Sequence, residues 1–168
     1  MLWKCIEPFD ATTGFTILGN DTDNLATTTR RVRGAAALEF DKVDGAADTV
    51  FAGASKTISA KLDEFPASFM LEWWVYCSTL VDVDYALIRL GTSASHLVEY
   101  RVPANSMVAG QFSRCLVPLG GFQSVTGNGC DFSNVVYLVA AVAFNNEANT
   151  LADIAIDRLS IIAAVTEV

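Results

Sequence analysis

Apolar and polar residues alternate along many short stretches of this chain, with the period of two that is typical of β-strands. The segment 56–62 shows the pattern cleanly, because Ile58, Ala60 and Leu62 share one side and the residues between them are polar. Clusters rich in Gly, Ser, Asn and Pro separate such segments and indicate turns. The predicted strands are 32–40, 56–62, 69–77, 85–90, 97–102, 112–118, 135–144 and 154–162.

Eight or more short strands without an amphipathic helix predict an all-β fold, either an antiparallel β-sandwich or a barrel. We interpret residues 1–168 as a single domain, because no linker or repeat divides them. The run VVYLVAAVAF at 135–144 is apolar at every position, which predicts a central strand covered on both faces. The half-polar segment 56–62 is expected near the edge of a sheet.

The stretch FMLEWWVYC at 69–77 has one face typical of a core strand and one face that is unusual. The unusual face carries Glu72, Trp74 and Tyr76. Three interpretations are open: burial on both faces, a protein interface anchored by Trp and Tyr, or a platform for sugar rings with Glu72 accepting hydroxyl hydrogen bonds. Trp3 is a further candidate for the same interface or platform.

Composition favours a protein partner. Hydrophobic residues make up 52% of the chain and charged residues 18%, so much apolar surface has to be covered by subunits or partners. The longest apolar run is too short to span a bilayer as a helix, and no signal peptide is recognisable, so no membrane partner is expected. A net charge of −8 argues against nucleic-acid binding; the one basic cluster is Arg30, Arg31 and Arg33.

Motifs that indicate catalysis are missing. The four cysteines show no metal-ligand spacing and are expected to be free thiols, with Cys77 and Cys115 buried. The single histidine, His96, would have to serve any Ser-His-Asp or Cys-His site. The sequence therefore predicts that the chain is not an enzyme, with a small hydrolase as a remote alternative.

Carboxylates near both ends of the chain suggest a calcium site. Glu7 and Asp10 lie near the first strand, and Asp153 and Asp157 lie in the last. Oxygen ligands of this kind suit calcium, and they would converge if the terminal strands pair. The alternative is that they are ordinary solvated or hydrogen-bonded acids.

Five segments follow one another in an order that is familiar from a known fold. They are KCIEPFDATTGFTILGN, RVRGAAALEFDK, SKTISAKL, FMLEWWVYC and ADIAIDRLSI. This order resembles the galactose-binding-like β-sandwich (jelly-roll) modules found in carbohydrate-binding modules and in tailed-phage virion proteins. The resemblance implies a jelly roll and places the structural calcium of such modules near Glu7 and Asp157.

Two functions are compatible with these features. The first is a virion structural protein, namely a capsid decoration (cement) protein that forms a homo-oligomer, expected to be a trimer. It would bind major capsid protein subunits on the capsid surface, after synthesis in the host cytoplasm. The alternative is a carbohydrate-binding module that recognises host or polysaccharide glycans.

Overall fold

The computed structural model describes residues 3–45 and 50–163, which form twelve β-strands and one short 3-10 turn. The described residues contain no helix that is long and apolar enough to cross a membrane. The strands are β1 (Trp3–Glu7), β2 (Phe15–Ile17), β3 (Thr22–Thr28), β4 (Ala37–Lys42), β5 (Phe51–Ala60), β6 (Met70–Tyr76), β7 (Val83–Ser93), β8 (His96–Pro103), β9 (Ser113–Pro118), β10 (Ser124–Thr126), β11 (Val135–Phe144) and β12 (Leu151–Ile162).

The strands form two sheets. Sheet 1 has the order β3-β4-β12-β6-β9, and β1 also pairs with β12; sheet 2 has the order β10-β8-β7-β11-β5-β2. Every pair is antiparallel. The predicted all-β antiparallel sandwich is confirmed.

The main core lies between the two sheets. Phe40 and Trp73 of sheet 1 and Tyr100 and Leu138 of sheet 2 are fully buried in it. Each such side chain stabilises the fold by roughly 1.5–3 kcal/mol relative to leaving it in water. The inward face predicted for 69–77 is confirmed, and so is that of 56–62, whose apolar residues all contact this core.

Strands with strong alternation match the prediction and short or irregular ones do not. β11 has the predicted bounds, and β6 differs from its prediction by one residue at each end. The segment predicted to begin at Val32 becomes a strand only at Ala37, because 32–36 forms a loop. β5 begins at Phe51 rather than at residue 56, because small residues in its first half hide the alternation. β2, β3 and β10 were not predicted.

A fully buried lysine fixes one end of the sandwich. Lys42 Nζ donates to the carbonyl oxygens of Val43 at 2.8 Å and Glu147 at 2.6 Å, and lies 3.4 Å from Asp21 Oδ2. Both charged side chains of this pair are almost completely removed from water. The ammonium therefore ties the last residue of β4 to the turn between β11 and β12.

Replacing Lys42 by Met is expected to lower the free energy of unfolding by about 3–5 kcal/mol, because the Asp21 carboxylate loses its buried cation and two carbonyls lose a donor. Urea unfolding followed by tryptophan fluorescence measures the change. Lys61→Met is the matched control, since the exposed Lys61 side chain lies 3.9 Å from Asp63 and should contribute little. Equal destabilisation by the two variants would contradict the assigned role of Lys42.

Candidate functional site

The outer face of sheet 2, which points away from the core, carries a second layer of buried apolar residues. Leu87 of β7 and Val139, Ala141 and Ala143 of β11 alternate with core residues and so point outward, yet none is more than 2% exposed. They form a second apolar cluster that is separate from the main core. Larger side chains around them must therefore rise above a low floor.

Aromatic residues form the sides of this recess. Phe51, Tyr85 and Tyr137 pack against the floor. Ala143 lies opposite Phe51 on one neighbouring strand and opposite Tyr85 on the other. We call this surface the outer groove, with Leu87, Val139, Ala141 and Ala143 as its floor and the three aromatic residues as its walls.

An arginine–glutamate–arginine cluster occupies one side of the outer groove. Glu99 of β8 is 3% exposed and accepts hydrogen bonds from Nε of Arg89, at 2.5 Å, and from Nε of Arg101. The Arg89 guanidinium lies 4.8 Å from the centroid of the Phe51 ring, and that of Arg101 lies 4.6 Å from the Tyr85 ring. The carboxylate and the rings together hold both guanidiniums in fixed positions.

Each guanidinium keeps donors for a ligand. A guanidinium has five N–H donors, and Glu99 is the only hydrogen-bond partner of either guanidinium among the described residues. One carboxylate can occupy no more than two donors of each, so at least three remain. Burial, together with the negative charge of Glu99, raises the pKa of Tyr85, so its neutral phenol is another donor.

Hydroxyl groups line the rest of the outer groove. Ser55 lies opposite Val139, and Thr57 lies opposite Tyr137. Ser124 on the edge strand β10 lies opposite Glu99. A recess with aromatic walls and many hydrogen-bonding groups suits a ligand that has both apolar faces and several hydroxyls.

No family model and no curated protein matches this sequence. Solved structures do match its fold. A family 11 carbohydrate-binding module from Clostridium thermocellum, in complex with a β-1,3-1,4-mixed-linked tetrasaccharide, has a TM-score of 0.65 and 10% identity over 97% of this chain and 96% of its own. A family 30 module of a cellulosomal cellulase of Clostridium thermocellum has a TM-score of 0.62 and 14% identity over 98% and 99%.

The chain has the β-sandwich fold of carbohydrate-binding modules. The β-sandwich of carbohydrate-binding modules that the five ordered segments predicted is thereby confirmed as the fold. The same fold occurs within larger proteins: an exo-β-agarase matches 96% of this chain with 25% of its own, at a TM-score of 0.67 and 8% identity.

The platform residues predicted from the sequence lie on the opposite side of the sandwich. Glu72, Trp74 and Tyr76 are on the outer face of sheet 1, and Trp3 joins them because it lies opposite Ile162, which lies opposite Met70. The structure therefore brings these residues to one face. The whole thickness of the sandwich separates them from the outer groove.

The chain itself covers much of that face. Guanidiniums lie over three rings: Arg30 at 4.2 Å from the Tyr76 centroid, Arg158 at 4.7 Å from Trp3 and Arg114 at 6.0 Å from Trp74. Arg114 also donates to Glu72 at 2.5 Å. In the structure, the unusual face of 69–77 is therefore partly buried under the protein's own arginines.

The β3–β4 loop is also fixed to sheet 1. The backbone N–H groups of Val32 and Arg33 donate to Asp157 Oδ2 at 2.6 and 2.9 Å, and Asp10 Oδ1 accepts from Ala35 and Ala36. On sheet 2, Leu18, which follows β2, packs against the floor of the outer groove, and its backbone N–H donates to the Gly53 carbonyl oxygen at 2.9 Å. We call the outer face of sheet 1, which carries the β3–β4 loop, the closed face.

The carboxylates predicted to bind calcium have partners from the chain. β1 and β12 pair as the prediction required. However, Glu7 Oε2 lies 2.8 Å from Lys56 Nζ, and Glu7 Oε1 accepts from the Phe9 N–H. Asp157 keeps only Oδ1 without a partner, and burial raises its pKa. Residues 3–45 and 50–163 contain no cluster of three potential metal ligands, so these residues fit a calcium ion poorly.

Chelation tests the calcium prediction. Because the Lys56 ammonium already neutralises Glu7, we expect the melting temperature to be the same in excess EDTA and in millimolar calcium. Thermal unfolding at fixed ionic strength measures it, with magnesium as the control for nonspecific charge effects. A rise in melting temperature with calcium alone would mean that Lys56 moves aside and that the site predicted at Glu7 and Asp157 exists.

The residues considered for catalysis are engaged elsewhere. His96 Nδ1 accepts a hydrogen bond from the backbone N–H of Asn128. The four cysteines are free thiols, as expected, and Cys77 and Cys115 are buried. Burial raises the pKa of Cys77 to about 12, so this thiol stays protonated at neutral pH.

Proposed function

We propose that this chain is a non-catalytic carbohydrate-binding module that holds a glycan in the outer groove. The observation that carries the proposal is the cluster of aromatic side chains on an apolar floor, beside the guanidiniums of Arg89 and Arg101. The fold shared with two carbohydrate-binding modules supports it. One of those modules is complexed with a mixed-linked tetrasaccharide.

A sugar ring has an apolar face of C–H groups and a perimeter of hydroxyls. The face can stack on Tyr137, the one wall ring over which no cation lies among the described residues. The hydroxyls can accept hydrogen bonds from Arg89 and Arg101. They can also donate to the Ser55 hydroxyl or accept from it.

The outer groove favours binding over hydrolysis. A glycosidase needs two carboxyl groups on opposite sides of the scissile bond. The buried carboxylate of the groove, Glu99, has both oxygens engaged by arginines and so cannot readily reach a sugar oxygen. The small-hydrolase alternative therefore gains no support.

The predictions about a virion stay predictions. They comprise the capsid decoration function, the homotrimer, the major capsid protein partner and the virion location. The comparisons support the fold of carbohydrate-binding modules rather than any of these. Solution mass by light scattering tests the trimer directly.

Replacing Tyr137 by Ala is expected to weaken glycan binding about tenfold, because a stacked ring of this size contributes on the order of 1.5 kcal/mol. Affinity electrophoresis and calorimetry measure binding, beginning with mixed-linkage β-glucan and agarose and extending to a broad glycan array. Trp74→Ala is the matched control, since it removes an aromatic ring from the outer face of sheet 1.

Three outcomes are distinct. Loss of binding in Tyr137→Ala alone supports the outer groove as the site. Loss in Trp74→Ala alone would place the glycan on the closed face and overturn the assigned site. Failure of the wild-type protein to bind any glycan on the array would overturn the proposed function.

A further inference from the structure

We propose that the outer groove recognises a glycan carrying an anionic substituent, carboxylate or sulfate, which binds between the guanidiniums of Arg89 and Arg101. The inference rests on the proposed function and narrows its ligand class. Three features support it. Two guanidiniums share one carboxylate, each guanidinium keeps N–H donors that Glu99 does not occupy, and both arginine side chains are restricted in mobility.

The arginine cluster of the outer groove has more positive than negative charge. Two guanidiniums share the single carboxylate of Glu99. Two arginines on the other side of the sandwich have one acid each instead: Arg114 pairs with Glu72, and Arg30 with Glu39. Among the described ion pairs, Glu99 is the one acid held by two cations, which leaves one positive charge at the groove for a ligand.

Asp84 is the other acid whose charge acts on Arg101. Its side chain is exposed and forms no hydrogen bond or ion pair with a described residue. Water and salt screen such a charge strongly. Asp84 therefore offsets the excess positive charge of the two arginines only in part. A ligand anion beside the guanidiniums would neutralise that charge at shorter range.

The geometry suits a planar or tetrahedral anion. Phe51 and Tyr85 lie under the flat faces of the guanidiniums, and Glu99 takes an edge of each. The remaining edges carry paired N–H donors, the arrangement that binds two oxygens of a carboxylate or sulfate. The side chains of Arg89 and Arg101 are 26% and 39% exposed, so a ligand can reach them.

Preorganisation of the two arginine side chains adds to the affinity for an anion. Fixing an arginine side chain on binding normally costs conformational entropy, and here the rings and Glu99 have already fixed it. The net charge of −8 disfavours a densely charged polymer. The expected ligand therefore carries its anionic groups at intervals along a mainly hydroxylated chain.

The experiment compares ligands that differ in charge alone. Oligogalacturonates are titrated against their methyl esters by calorimetry, which tests the carboxylate. Oligosaccharides of κ-carrageenan are titrated against the same oligosaccharides after desulfation, which tests the sulfate. We expect at least one acidic ligand to bind about tenfold or more tightly than its neutral counterpart, with affinity falling as salt is raised.

The variants Arg101→Met and Arg89→Met are expected to remove that preference, and Arg101→Lys to restore only part of it, because lysine keeps the charge without the planar fork. Arg114→Met is the matched control: Arg114 is also bonded to a glutamate and lies over an aromatic ring, but on the closed face. Circular dichroism spectra and melting temperatures show whether each variant is folded.

The outcomes separate the two proposals. Equal affinity for acidic and neutral ligands, or binding of neutral glucan only, overturns the anionic preference and leaves the carbohydrate-binding function standing. A preference that survives in both methionine variants of the groove but disappears in Arg114→Met overturns the assigned position. Failure to bind any neutral or acidic glycan overturns both.

Discussion

The pairing of β11 with β5 and β7 is the interaction on which both the core and the outer groove depend. One face of β11 supplies Leu138 and Val142 to the core between the sheets. The other face supplies small residues such as Ala141, which lies opposite Gly53 on β5. A Cβ atom at Gly53 would come within 2.5 Å of that alanine's Cβ. Small side chains at the centre and large ones on the flanking positions are what make a flat sheet surface into a recess.

Charge distribution then distinguishes the two outer faces of the sandwich. On sheet 1, a carboxylate is used to fix the chain to itself, because Asp157 accepts two backbone N–H groups from the β3–β4 loop. On sheet 2, Glu99 fixes two side chains, Arg89 and Arg101, whose remaining donors face outward.

The sequence was sufficient for the fold class and for the strands that alternate strongly, because burial of one face imposes a period of two. It did not reveal which strands are neighbours, and the groove exists only through that pairing. Phe51, Ala143 and Tyr85 form one row across the sheet, although 34 positions separate Phe51 from Tyr85 and 58 separate Tyr85 from Ala143 along the chain. The loop at 32–36 was missed for a similar reason, since its partner Asp157 lies 125 residues beyond Val32.

The apolar run at 135–144 was the one sequence signal for this surface, and it predicted a buried central strand rather than a groove. An apolar run such as 135–144 predicts a strand covered on both sides, and the natural expectation is a second layer of chain over it. Here Val139 and Ala143 are covered by the flanking side chains of their own sheet. Because these side chains and Leu18, which follows β2, already cover the floor, the apolar excess of the strand does not require a protein partner. It can be explained by a groove that exposes little apolar area until a ligand with matching apolar faces enters it.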